Sequence, residues 1–139
     1  MAKKKRILLV DDESDFVELL RVRLEDSNYE VIVAYDGEEG LERAEKESPD
    51  LIILDVMLPK ISGFDVCRKL KIDENFKNIP IIVLTAKFQA NDIKFGMAMG
   101  ADAYITKPFQ SSAVFLARMV IPRSFSISLE SIMRSVTLV

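Results

Sequence analysis

The sequence predicts a protein of the α/β class, in which a parallel sheet is covered by helices on both faces. Short apolar runs alternate along the chain with stretches whose apolar residues recur at helical spacing. One run, Leu51 to Leu54, contains no polar residue at all, as expected for a strand that is buried on both faces. A length of 139 residues is enough for one core and short for two.

Five strands are predicted from the apolar runs, and helical segments connect them. The strands span residues 6–10, 29–34, 51–54, 81–84 and 103–106. The helix starts are assigned to good capping residues, namely Ser14, Asp36, Ser62 and either Asn91 or Asp92, while Lys46 and Gly100 end the second and fourth helices. Leu41 and Ala44 of the second helix are expected to face inward. The apolar residues whose spacing supports the other helices are Phe16, Val17, Leu20, Leu24, Phe64, Val66, Cys67, Leu70, Ile93, Phe95 and Met97.

The order of these elements predicts one doubly wound sheet. Parallel strands that are joined by helices need right-handed crossovers. The strand order 2-1-3-4-5 of flavodoxin-like folds is the simplest arrangement of five such strands, with helices on both faces. Strands one and three then flank the point where the helices change faces, and ligands of such sheets bind beyond the carboxyl ends of the strands. Asp55, directly after the third strand, is expected at the mouth of that crevice.

Composition excludes several classes of function. With 19 basic and 22 acidic residues the formal charge is −3, which disfavours nucleic acid or an anionic membrane as a main partner. No apolar run approaches the roughly 20 residues of a spanning helix, and a cytoplasmic protein is expected. The single cysteine, Cys67, is expected to be a small buried hydrophobe. The chain has no histidine, which excludes histidine-based catalysis and histidine metal ligands.

Polar side chains end four of the predicted strands and should meet at one edge of the sheet. These residues are Asp11, Asp12, Asp55, Thr85 and Lys107. Crowded carboxylates favour a bound cation, and a site with few carboxylates suits Mg²⁺. A carboxylate can attack phosphorus without a general base, so Asp55 is the predicted nucleophile of a phosphoryl transfer. Lys107 would offer a charge, and Thr85 a hydroxyl, to the phosphoryl oxygens.

Each of these residues alone has an ordinary structural explanation. An Asp-Asp pair after a strand is often a turn or a helix cap, and a threonine at a strand end often bonds the backbone. Lys107 with Pro108 could form a simple turn. The combination, with each residue at the end of its strand, favours a shared site.

Longer motifs around these residues resemble the receiver domain of two-component response regulators. They comprise Ile7 to Glu13, the Asp55 strand with Met57, Pro59 and Gly63, then Leu84 to Ala86, and Gly100 to Phe109. The resemblance implies that Asp55 is the phosphoacceptor, that Asp11 and Asp12 bind Mg²⁺, and that Met57 is a further ligand through its backbone carbonyl. It assigns phosphoryl contacts to Lys107 and Thr85. Tyr104 matches the family's aromatic switch residue, although a packed strand aromatic explains it equally well.

The resemblance also implies partners. The phosphoryl donor would be a sensor histidine kinase, a histidine phosphotransfer protein or a small acyl phosphate. A downstream effector would bind the face formed by the fourth helix, the fifth strand and the last helix. As a receiver the chain would turn over no external substrate.

Two other functions fit the sequence less well than the switch does. A Mg²⁺-dependent phosphatase or phosphotransferase with an aspartyl intermediate would need a second acid two residues after the nucleophile, where this chain has Met57. A flavodoxin-like FMN-binding module would need a phosphate loop rich in Ser, Thr and Gly after the first strand, where this chain has acidic residues.

The composition changes near the carboxyl end. Residues 110–139 contain seven serines and no lysine. The predicted boundaries are a receiver domain over residues 1–121, with a last helix over 112–121, and an atypical tail over 122–139 that matches no recognised output domain. The tail's apolar spacing fits a strand or a helix equally well, and we expect it to associate with another copy or a neighbour.

Overall fold

The computed structural model describes residues 3–87 and 89–107. Within them the chain forms five strands and four helices in alternation. The strands are β1 (Arg6–Val10), β2 (Glu30–Ala34), β3 (Leu51–Leu54), β4 (Ile81–Thr85) and β5 (Ala103–Thr106). The helices are α1 (Ser14–Asp26), α2 (Gly37–Glu47), α3 (Gly63–Lys71) and α4 (Ala90–Ala98).

The five strands form one parallel sheet with the order β2-β1-β3-β4-β5. This confirms the predicted doubly wound, flavodoxin-like α/β fold and its strand order. The register pairs Val10 with Ala34 on one side and with Leu54 on the other. Strands β1 and β3 therefore end side by side, which sets the residues that follow them next to each other.

Alternate residues of the strands build two apolar layers. On one face Ile7 and Leu9 pack with the α1 residues Leu20 and Leu24. On the other face Leu8 packs in a cluster with side chains of α2 and α3, and α4 contributes partly buried residues to the same cluster. All four β3 residues are buried, as the uninterrupted apolar run predicted. The predicted last helix over 112–121, which would join α1, lies outside the described residues.

Two predicted helix caps are confirmed. Asp36 accepts a hydrogen bond from the backbone N–H of Glu39, and Ser62 accepts one from the N–H of Phe64. Gly100 follows α4 with φ +104°, a conformation that glycine adopts without strain, so it stops the helix as predicted.

Two predicted caps are wrong. Ser14 is the first residue of α1, and Glu13 precedes it as N-cap without a side-chain cap bond. The N–H of Glu13 donates to the carboxylate of Asp11 at 2.9 Å. Helix α4 begins at Ala90, after Gln89. Asp92 therefore lies inside its first turn, where a negative charge favours the positive end of the helix dipole.

Cys67 and the length of the helices test two further predictions. Cys67 is buried, as expected, and its thiol donates to the carbonyl of Met99 at 3.6 Å. Burial raises the pKa of this thiol to about 12. Among the described residues, none of the helices has the length and apolar character that crossing a membrane demands. The predicted tail, its self-association and the boundary at residue 121 lie outside the described residues.

Candidate phosphoryl and metal site

The carboxyl edge of the sheet holds a cluster of three carboxylates. Side-chain oxygens of Asp11, Asp12 and Asp55 lie within 4.8 Å of one another. Asp11 and Asp55 are 1% and 4% exposed, whereas Asp12 is exposed. The backbone ladder continues past the strand ends, since Asp55 N–H donates to Val10 at 2.9 Å. Strand pairing therefore fixes the two buried aspartates side by side.

Lys107 supplies the cation of this cluster. Its Nζ lies 2.7 Å from Asp11 Oδ2, 3.4 Å from Asp55 Oδ2 and 3.9 Å from Glu13 Oε1. The residue directly follows β5, and its N–H donates to the carbonyl of Thr85 at 2.7 Å. One ammonium thus faces two buried carboxylates and one exposed carboxylate, which leaves the cluster with excess negative charge.

Phe16 completes the surroundings of the ammonium. The Nζ of Lys107 lies 3.9 Å from the centroid of the Phe16 ring, within the range of a cation–π contact. The helical periodicity predicted Phe16 only as a core residue. Its position one turn into the helix that follows the acidic pair is the signal that it lies close to the site.

Burial dominates the electrostatics of Asp11. Desolvation raises the pKa of this carboxyl above its ordinary value. The hydrogen bonds from Lys107 and from the N–H of Glu13 oppose the rise without cancelling it. The folded chain therefore holds a negative charge at Asp11 at some cost, as expected of a site that is built to receive a cation.

Asp55 is oriented by its own chain neighbours. Its Oδ1 accepts from the N–H of Met57 at 3.0 Å, which leaves Oδ2 toward Lys107. The start of α3 packs directly on this segment, because a Cβ at Gly63 would lie 2.0 Å from the Asp55 carbonyl oxygen. Only glycine allows that approach. The side chain of Met57 is 53% exposed at the rim of the site.

Thr85 occupies the end of the neighbouring strand. Leu54 pairs with Val83, so Thr85 lies beside the segment that carries Asp55. The residue is fully buried, and its hydroxyl accepts from the N–H of Lys87 at 3.5 Å. The structure therefore brings Asp11, Asp12, Asp55 and Lys107 together, and it places Thr85 on the adjoining strand with its hydroxyl bonded to the following loop.

Tyr104 reaches the same loop from β5. Its hydroxyl donates to the carbonyl of Lys87 at 2.8 Å, and the residue is 7% exposed. Burial, with the nearby charges of Asp92 and Asp55, raises its pKa to about 12. Helix α4 fits against the ring only because residue 96 is glycine, where a Cβ would lie 2.8 Å from Tyr104 Cδ2. The backbone of Lys87 thus joins Thr85 to Tyr104.

This fold and this edge define a receiver-type α/β domain, and comparison with known proteins agrees. The model of the response regulator receiver domain matches residues 7–118. The alkaline phosphatase synthesis transcriptional regulatory protein PhoP of Bacillus subtilis is 52% identical over 110 residues, which are 79% of this chain and 45% of that protein. The chain belongs to the response regulator receiver domain family of two-component systems.

Solved structures show the same likeness. The chemotaxis response regulator CheY4 of Vibrio cholerae has a TM-score of 0.74 and 31% identity, covering 86% of this chain and 100% of that one. The Mn²⁺-bound form of the response regulator Rcp1 has a TM-score of 0.71 and 30% identity, covering 84% and 88%. The matched region of this chain spans less than half the length of PhoP.

Proposed function

We propose that this domain is a phosphoacceptor switch in which Asp55 receives a phosphoryl group from a phosphohistidine of a sensor kinase or phosphotransfer protein. The observation that carries the proposal is the position of the Asp55 carboxylate, which is buried beside the Lys107 ammonium and clustered with the carboxylates of Asp11 and Asp12. A buried nucleophile with a cation and further hard oxygen ligands beside it suits phosphoryl transfer.

The donor set fits Mg²⁺. It comprises three carboxylates with oxygens within 4.8 Å of one another, two buried and one exposed to solvent. Hard oxygen donors that leave room for water and phosphate are typical of Mg²⁺ sites. We propose Asp11, Asp12 and Asp55 as the side-chain ligands and Met57 as a ligand through its backbone carbonyl. Mg²⁺ bound here would offset the negative charge on the phosphoryl oxygens. The Mn²⁺-bound form of Rcp1 supports a divalent cation in this fold.

Asp55, Lys107 and Thr85 would each have a separate role in the transfer. A carboxylate oxygen of Asp55 forms the new bond to phosphorus while the bond between phosphorus and the donor's imidazole nitrogen breaks, and the electron pair leaves with the imidazole. The product is an acyl phosphate on Asp55 and a free histidine on the donor. Lys107 would move its ammonium onto one phosphoryl oxygen, and the Thr85 hydroxyl would donate a hydrogen bond to another.

The response to phosphorylation would pass through the loop after β4. The backbone of Lys87 bonds the Thr85 hydroxyl through its N–H and the Tyr104 hydroxyl through its carbonyl. Movement of Thr85 toward the phosphoryl group would change both bonds and so the face that α4 and β5 present to an effector. Charged hydrogen bonds contribute about 1.5 to 3 kcal/mol each. Two or three of them supply the roughly 5.5 kcal/mol that inverts a 1:99 population.

The partners follow from the family and from the length of the match. Because the matched region covers 45% of PhoP, a transcriptional regulatory protein by name, we propose that the effector is an output module or a separate protein. We infer that this domain does not itself bind nucleic acid, since its formal charge is −3. The exposed Met57 stands where an aspartyl phosphatase would need its second acid, so we infer no turnover of an external substrate.

The test is incubation with acetyl phosphate and Mg²⁺, followed by intact-mass measurement. We expect one phosphoryl group, absent in Asp55→Asn and retained in Asp65→Asn, whose carboxylate is exposed on α3. Chelation of the metal should abolish the modification. Modification of Asp55→Asn at the wild-type level would contradict the assignment. Many acetyl phosphate molecules hydrolysed per chain with no stable adduct would favour the phosphatase.

A further inference from the structure

The loop between β3 and α3, residues 56–61, is folded into two very tight turns. Leu58 N–H donates to the carbonyl of Val56 at 3.1 Å, and Ile61 N–H donates to that of Pro59 at 2.8 Å. Lys60, at the centre of the second turn, has φ +68°. A bond between residues two apart with positive φ at the middle residue is a γ-turn, which is rare and strained for any residue but glycine.

The start of α2, with its N-cap Asp36 and first residue Gly37, contacts this strained loop from one side. Gly37 N–H donates to the carbonyl of Pro59 at 3.2 Å. The two backbones touch, because a Cβ at Gly37 would lie 2.0 Å from the carbonyl oxygen of Ile61. The Asp36 carboxylate lies 3.5 Å from Lys60 Nζ. An unfavourable backbone conformation persists only where its surroundings impose it, and this contact is such a constraint.

The other end of the loop is fixed at Asp55. Val56 accepts from Gly63 N–H at 3.0 Å, and Met57 N–H donates to the Asp55 carboxylate at 3.0 Å. The segment from Met57 to Lys60 is therefore held at one side by the bonds at Asp55 and Val56 and at the other side by the contact with Gly37. A side chain added at Gly37 would therefore press on this segment.

We propose that Gly37 is a positioning residue for the metal site, which sets the location of the Met57 carbonyl without contacting the ion. The inference rests on the proposed function, in which that carbonyl is a ligand. A side chain at position 37 would push on Ile61, displace the γ-turn and move Met57. Divalent-cation affinity would fall while the three carboxylates stay in place.

The experiment measures Mn²⁺ affinity by calorimetry on wild type, Gly37→Ala, Lys60→Gly and Glu45→Gly, alongside the thermal midpoint of each. Gly37→Ala should bind Mn²⁺ about 10-fold more weakly, comparable to the loss of supporting contacts at other metal sites. Glu45→Gly is the matched control, since it weakens α2 at an exposed position and should bind within about twofold of wild type. Lys60→Gly should bind about threefold more weakly with a thermal midpoint no lower than wild type, because glycine relieves the positive φ but lets the loop move.

If Gly37 only stabilised the fold, Lys60→Gly would lose Mn²⁺ affinity only together with a lower thermal midpoint. A weaker affinity at an unchanged midpoint therefore supports the positioning role. Wild-type affinity in a folded Gly37→Ala variant would overturn the inference and leave the phosphoacceptor assignment standing. Should Gly37→Ala fail to fold, Lys60→Gly decides alone, and wild-type affinity there overturns the inference. Wild type that binds no Mn²⁺ would overturn the metal site and this inference together.

Discussion

Two largely buried lysines lie at opposite edges of the sheet and have different surroundings. At the amino edge, Lys71 is 15% exposed, and its Nζ donates to the carbonyls of Lys77 and Ile79 and to Asp102 at 2.8 Å. At the carboxyl edge, Lys107 is 13% exposed and faces Asp11 and Asp55. Equal burial therefore accompanies two kinds of environment.

The difference lies in how completely the charges are matched. Lys71 has one carboxylate and two carbonyls, and Asp102 has a second donor in the N–H of Ile81 at 2.8 Å. That group is satisfied by the fold alone. Within residues 3–87 and 89–107, Lys107 is the single cation that contacts Asp11 and Asp55, and burial already raises the pKa of Asp11. A site that acts on a ligand is one where the fold leaves charge uncompensated, and a structural ion pair leaves none.

The largest expected change in stability comes from removing the Lys71 ammonium at the amino edge. Lys71→Met should lower the free energy of unfolding by about 2 to 3 kcal/mol, because Asp102 and two carbonyls lose a charged donor. Urea unfolding measures the loss. The folded fraction should still take up a phosphoryl group from acetyl phosphate at the wild-type rate, since Lys71 lies at the other edge of the sheet.

The matched control pairs this change with its partner. In Lys71→Met combined with Asp102→Asn, the uncompensated carboxylate is gone, and part of the lost stability should return. An additive double variant would show that Asp102 does not depend on Lys71, and the contrast between the two edges would then be weaker than we argue.

At the carboxyl edge, removing a charge should stabilise the fold, whereas at the amino edge it should destabilise it. Asp11→Asn removes a buried charge and should raise the free energy of unfolding by about 1 kcal/mol at about pH 7 without metal, while phosphorylation is lost. Active sites commonly trade stability for function in this way. The control is Asp65→Asn, an exposed carboxylate on α3, which should change stability by less than about 0.5 kcal/mol.

The stability gained by Asp11→Asn should increase with pH. Since burial raises the pKa of Asp11, the folded chain binds this proton more tightly than the unfolded chain does. Below the unfolded pKa of about 4 the carboxyl is neutral in both states, and the substitution should be nearly neutral. The cost of the charge appears as pH rises through the folded pKa, so the gain from Asn should grow from acid to neutral pH. A gain that shrinks with rising pH would contradict the assignment.

How far the sequence predicted these two edges depends on the range of the interactions. Strand ends follow from local apolar runs, and parallel strands bring their carboxyl ends together, so the sequence alone places Asp11, Asp55 and Lys107 at one edge. The ion pair between Lys71 and Asp102 joins residues that are 31 positions apart in the sequence. No periodic pattern in the sequence predicts such a contact.

The helix starts show the same limit on a smaller scale. Ser14 is a good capping residue, yet Glu13 is the N-cap of α1, and its N–H donates to the carboxylate of Asp11 in the site. The close approach of Gly37 to Ile61 is equally unpredictable, since it depends on how two loops meet. Local propensity predicted the elements, while tertiary contact decided the details around the site.

A smaller effect should separate Phe16 from the rest of the α1 core. If its ring stabilises the Lys107 ammonium, Phe16→Leu and Lys107→Met should be coupled by about 0.5 to 1 kcal/mol in a double-mutant cycle. Phe16→Tyr keeps a ring face and should retain most of the coupling. Independence of the two substitutions would reduce Phe16 to a packing residue, as the helical periodicity first predicted.

The smallest effect should come from an ion pair that neither edge contains. Arg21 on α1 bonds Glu18 and also Glu25, the latter at 2.6 Å, on a side where both glutamates are exposed. Arg21→Ala should cost less than about 0.5 kcal/mol, and the loss should shrink further at high salt, because water screens exposed charges. A cost as large as that of Lys71→Met would mean that geometry alone, and not exclusion of water, makes an ion pair strong in this protein. The charge imbalance at Asp11, Asp12 and Asp55 would then no longer distinguish the functional edge from the structural one.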